Sequence, residues 1–150
     1  MTPIEYERLE QLVMRSAEDL LAMYESIENK HSSSLEPKST FLGPRPRTAY
    51  EMYEHTKSVN RYYFGEIGIE ADNDGTIVDC RRRGFEMLRR REDHLSGRVF
   101  LGSYDERWSL RKVLRRFIWH DRIHGKAMYR MACRTFGEGA VFDSFKFNGI

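Results

Sequence analysis

Long apolar runs are missing from this chain. No stretch approaches the roughly 20 consecutive apolar residues that a membrane-crossing helix requires, so a membrane-spanning function is not expected. Cysteine is scarce as well. Cys80 and Cys133 are the only two, too few for a disulfide framework, and both are expected to be reduced and buried in helices. The opening residues Met1-Thr2-Pro3-Ile4-Glu5 have neither the basic start nor the apolar run of a secretory signal, which makes the cytosol the expected compartment. Strand-type alternation is not persuasive anywhere. Also absent are a zinc finger, a recognition-helix motif and a glycine-rich phosphate loop.

What is present describes one globular domain, residues 1–150, with 40% hydrophobic and 32% charged residues. The net charge of +2 is unevenly distributed. Residues 1–75 carry 8 Lys/Arg against 14 Asp/Glu, and residues 76–150 carry 17 against 9, a balance of −6 followed by +8. In the basic half, Arg81-Arg82-Arg83, Arg89-Arg90-Arg91, Arg111-Lys112 and Arg115-Arg116 offer a surface that can attract phosphate backbones. The alternative is a solvated helix face paired with acidic neighbours. The small net charge favours that alternative, and nucleic acid is not the expected partner.

Four helical segments carry the hydrophobic pattern, so the expected class is all-α. The first opens at Thr2, with Pro3 at the first helical position and Glu5 completing a capping box, and runs to about Lys30 through Leu9, Leu12, Val13, Leu20, Leu21, Tyr24 and Ile27. Residues 31–46 read as a long connection that can lie over a site. The second helix starts at Thr48 and places Met52, His55, Val59, Tyr62, Tyr63 and Ile67 on its inward stripe. A turn at 71–75 leads to the third, capped by Thr76 and extending towards Leu95. After a second loop containing Gly102 and Ser103, the last helix starts around Ser109, or a little earlier at Asp105, and ends at Gly137. A tail from Ala140 to Ile150 bears Phe142, Phe145 and Phe147, which should dock on the helices or on a second subunit.

The inward series of the last helix reads Leu110, Val113, Phe117, His120, His124, Ala127 or Met128, and Met131, so two imidazoles continue an apolar row. Side chains four apart stack on one helical face and can chelate one ion. With His55 from the second helix, the set is three neutral imidazoles converging from two helices. That pattern leaves at least one coordination position open, as a catalytic metal site requires. The alternative reading is that these histidines are satisfied core or crevice residues, since four-residue spacing alone is a weak signal.

The run Trp119-His120-Asp121-Arg122-Ile123-His124-Gly125-Lys126-Ala127-Met128, with the helix start Trp108-Ser109-Leu110-Arg111-Lys112-Val113-Leu114, resembles the last helix of the DinB/YfiT-like metalloenzymes. Glu54-His55-Thr56 through Tyr62-Tyr63-Phe64-Gly65-Glu66-Ile67-Gly68 is similar to that family's second helix, and Phe142-Asp143-Ser144-Phe145-Lys146-Phe147 to its aromatic tail. The resemblance implies a four-helix bundle with long interhelical connections and frequent homodimerisation. It also implies a divalent metal, commonly zinc or nickel, held by His55, His120 and His124. The implied activity is that of a metal-dependent thiol S-transferase or hydrolase, acting on a small molecule with a low-molecular-weight thiol as a candidate substrate. A noncatalytic bundle that keeps a metal or serves as an interaction module is the competing reading. Against a structural metal stands the lack of a fourth protein ligand.

No general base stands out. Glu66 lies eleven residues beyond His55 on nearly the same face and is either a site carboxylate or a solvated helix-end residue. Asp121 points about 100° away from His120 around the helix and is expected as an outer partner or, more simply, a solvated partner of a neighbouring arginine. Tyr62, Tyr63 and Trp119 are candidates for lining the pocket or for the core. His31 and His94 fall in or near connections and are left outside the site.

Overall fold

The computed structural model of the chain describes residues 1–148. It is mostly helical. Helix α1 spans Pro3–Ser26, α2 Ala49–Glu66, α3 Ile77–Arg89 and α4 Leu110–Phe136. Each starts where a hydroxyl satisfies a free backbone donor. Thr2, Thr48, Thr76 and Ser109 accept from the N–H groups of Glu5, Glu51, Asp79 and Lys112 at 3.0–3.2 Å. Each such cap is typically worth ~1 kcal/mol.

The helix ends depart from expectation more than the starts. Helix α1 stops at Ser26, four residues before Lys30, where Ile27 adopts an extended conformation and the Lys30 ammonium donates to its carbonyl at 2.5 Å. Helix α3 stops at Arg89 instead of reaching Leu95, and the chain turns through Asp93 and Ser96 before Gly97 takes up φ +79°. Two short antiparallel pairs interrupt the connections. Strand β1 (Ser39–Thr40) pairs with β2 (Gly43–Pro44), and β3 (Phe100–Leu101) pairs with β4 (Arg107–Trp108).

The helices pack in the cyclic order α1, α4, α2, α3, a bundle-like arrangement in which α4 lies against both α1 and α2. Two apolar clusters fill it. One is built around Val13, Phe64, Ile67, Phe85, Leu114 and Phe117, the other around Leu20, Met23, Met52, Ile77, Met128 and Ala132. Helices α2 and α3 approach closely because Gly84 has no Cβ to overlap the Phe64 ring. Among the described residues no helix is long and apolar enough to cross a membrane.

Between the two clusters lies a charged pair. The Arg81 guanidinium of α3 donates to both oxygens of the Asp121 carboxylate of α4, one bond measuring 3.1 Å, and both side chains are completely buried. Ser16 of α1 donates its hydroxyl to the same carboxylate at 2.5 Å, and Arg81 lies 4.3 Å over the Phe117 ring. This corrects two expectations at once. Asp121 is not solvated, and Arg81 contributes nothing to a basic surface. The rest of the arginine clusters are also partly spoken for: Arg82 pairs with Asp79, Arg83 with Asp72 and Arg89 with Glu10.

The long first connection is anchored on the C-terminal part of α4. Ser34 is tied to Thr135, its N–H donating at 3.1 Å, about three turns beyond His124. Of the tail aromatics, Phe145 packs on Gly125 of α4 and against Phe147, whereas Phe142 is exposed. Tail residues 149–150 lie outside the described residues. Cys80 is buried and its thiol is pushed up by burial, while Cys133 is only partly buried; both are free.

Candidate metal centre

The three histidines singled out in the sequence meet in space. One ring nitrogen from each of His55, His120 and His124 lies within 4.8 Å of the other two. The ring centroids are 4.3 Å apart for His120–His124, 4.6 Å for His55–His124 and 5.6 Å for His55–His120. The helical register explains the first distance, since a four-residue step on α4 brings two side chains one above the other. The other two come from the packing of α2 on α4.

Their environments differ. His120 is buried, His124 partly buried and His55 exposed. The inward stripe of α2 is therefore rotated from the expected one: Met52, Tyr53, Thr56, Asn60, Tyr63 and Phe64 face the core, and His55 stands at its edge. Tyr62 moves outward for the same reason. An edge position suits an open site better than a core position, because something from solvent can reach the cluster.

Burial, followed by the neighbouring imidazoles, pushes His120 down to about 3 and His124 down to about 4. Both rings are thus neutral at pH 7, the form that offers a lone pair to a metal. The His120 Nδ1 is buried with no hydrogen-bond partner. An unsatisfied buried polar atom costs ~1–3 kcal/mol. The donor set is all imidazole, which suits zinc, nickel, copper or iron and not the oxygen-seeking magnesium or calcium. The three residues fit a divalent transition metal.

No family model, curated protein or solved structure matches this chain.

Aromatic rings surround the cluster on one side. Tyr63 is a core residue and also a wall, its ring edge-on to His120 at 5.9 Å. Trp119 lies 6.4 Å from His120 and is half exposed, and Tyr62 packs against Tyr63 and Trp108. Glu66 does not join the histidines. It is buried beneath the second loop, where its carboxylate accepts from the Ser103 N–H at 2.7 Å, so it is neither a site carboxylate nor a solvated one. His31 packs on Tyr50 and His94 on Tyr6, both away from the cluster.

Beside the site, sequence reasoning placed Asp121 wrongly. A signal was available: Asp121 falls seven residues after Leu114 and seven before Met128, both fully buried. Heptad spacing put it on the inward side regardless of its charge.

Proposed function

We propose that His55, His120 and His124 bind one divalent metal ion, zinc or nickel in first place, and that the protein is a metal-dependent enzyme of the DinB/YfiT-like kind. The observation that carries this reading is the convergence of three imidazole nitrogens from two helices, two of them held neutral and one carrying an unsatisfied buried nitrogen. Three protein ligands leave room for an outside molecule, whereas structural zinc sites are normally closed by four.

What such an ion supplies is Lewis acidity, lowering the pKa of a thiol or a water and so yielding a nucleophile near neutral pH. The reaction class is thiol S-transfer or hydrolysis. The chain's own contribution is positional. His120 and His124 are fixed by α4, itself clamped by the Arg81–Asp121 pair one residue away, and Tyr63 restricts water on the buried side. His55 stands on the solvent side, where a small molecule enters. Homodimerisation belongs to the same reading and is checked by light scattering.

Metal analysis of protein purified without an affinity tag, repeated on His55→Ala and His124→Ala, tests the centre. About one equivalent of metal in the parent and a loss of at least ~10-fold in affinity in each variant is expected. Metal that persists unchanged in both variants refutes the assignment. Stripping the metal with chelator should leave the helices folded, since an unfolded apo form marks a structural ion. A conjugation screen with small thiols should find turnover that needs both thiol and metal.

A further inference from the structure

Beside the histidine cluster, on the same helix, lies an open groove of about 590 Å³ lined by Ser109, Arg111, Lys112, Arg115, Arg116 and Trp119. Two rows of α4 run along it at four-residue steps. One is Arg111, Arg115, Trp119; the other is Lys112, Arg116, His120, His124. The second row passes from the groove directly into the proposed metal centre.

Four cations meet two carboxylates here. Glu5 accepts from Arg111 at 2.6 Å, and Glu106 accepts from Lys112 at 2.7 Å, with Arg116 at a longer 3.7 Å from the same oxygen. Lys112 is further held by the Arg107 carbonyl at 2.7 Å. Both carboxyls sit below their usual range because of these cations. Arg115 is exposed and has no ion-pair partner among the described residues, so Arg115 and much of the Arg116 charge are left for something else.

The aromatic side chain gives the groove a second character. The Arg116 guanidinium lies 5.6 Å over the Trp119 ring and 5.9 Å from Trp108, while Trp119 is 52% exposed. A half-exposed indole next to one unpaired guanidinium, Arg115, and one only loosely paired, Arg116, is what a flat anion needs: a face to stack on and a fork to hold its acid group. The groove's volume of about 590 Å³ falls in the range of small-molecule sites.

We infer that this groove binds a small organic anion, a flat body carrying a carboxylate or phosphate, with Arg115 and Arg116 holding the acid group and Trp119 stacking on the body. Four residues of α4, about 6 Å along the helix axis, separate Arg116 from His120, so a ligand anchored here extends its other end to the histidines. That the groove is the handle for the enzyme's substrate rests on the metal-centre reading above. The binding itself does not.

The test is titration of the full-length protein with phenyl phosphate, benzoate, inorganic phosphate and benzyl alcohol, read by the fluorescence and indole N–H resonance of Trp119. Saturation by phenyl phosphate or benzoate is expected, with benzyl alcohol and inorganic phosphate each weaker by at least ~10-fold because each lacks one of the two contacts. Arg115→Ala/Arg116→Ala should weaken the aromatic acid by at least ~10-fold, and Arg115→Lys/Arg116→Lys should restore part of that loss. Equal titration in the alanine variant, equal binding of benzyl alcohol, or no saturation by either aromatic acid overturns the proposal. The same titrations on chelator-stripped protein and on His120→Ala separate the two claims. Acid binding without metal uptake leaves the groove standing and removes the metal centre, and metal uptake without acid binding does the reverse.

Discussion

His120 and Asp121 are consecutive residues of α4 with opposite surroundings. Asp121 points into the middle of the protein, where its carboxylate is held on both oxygens by Arg81 and on one by Ser16, although the Arg81 Nε has no partner of its own. His120 is buried as well, but its Nδ1 has no protein partner and its neighbours are two further imidazoles, one of them exposed. The comparison separates two uses of buried polarity. A closed set of partners fixes how α1, α3 and α4 pack, whereas an incomplete set invites a ligand.

The largest effect should come from breaking the closed set. Asp121→Ala leaves the Arg81 guanidinium buried without a counter-charge and should cost ~3–5 kcal/mol, read as a fall in urea midpoint with an unchanged slope. Replacing both partners by apolar residues of similar volume, Arg81→Met with Asp121→Leu, should recover most of that loss. A double variant as unstable as Asp121→Ala would show that the pair does more than satisfy itself. It would also end the contrast drawn with His120.

Next in size is the response of the open set to acid. In the metal-free protein His120 and His124 are pushed down to about 3 and about 4, while the unfolded chain titrates near 6.5. Between these values the unfolded state binds protons that the folded state refuses. Stability is therefore full above pH 6.5 and falls as the pH drops towards 4. The measurement is a urea midpoint at pH 7.5 against pH 5.0, a range lying above the ordinary titration of the carboxylates. The His120→Gln/His124→Gln variant should lose much of that difference. A difference of the same size in that variant would place the acid response elsewhere.

How legible this contrast was depends on what each residue's signal competes with. The four helix starts were readable because a hydroxyl followed by an acid or an apolar run is local chemistry, and each cap stands where its sequence places it. The histidines on α4 were readable because they continue an apolar row. His55 was assigned to the right cluster through the wrong stripe: the row Met52, Thr56, Asn60, Phe64 faces inward, and two polar members disguise it. Arg81 and Asp121 were misread for the same reason. Their positions have core periodicity, but a lone charge in the core is so costly that each reads as surface until its partner is known. The partners lie 40 residues apart.

The smallest effects should come from Glu66, which belongs to the closed type although a solvated helix-end position was the simpler expectation for it. Gly102 sits against its carboxylate, and a Cβ there would overlap Glu66 and come within 2.7 Å of the Trp108 ring. Gly102→Ala should therefore displace the second loop and cost ~1–3 kcal/mol, as overpacking does. Glu66→Gln keeps an acceptor for the Ser103 N–H and should cost less than ~1 kcal/mol. Metal affinity should be unchanged in Glu66→Gln, because the carboxylate serves the loop and not the histidines. A loss of metal comparable to that in His124→Ala, measured on the folded variant, would return Glu66 to the site and show that the boundary between the two sets runs elsewhere.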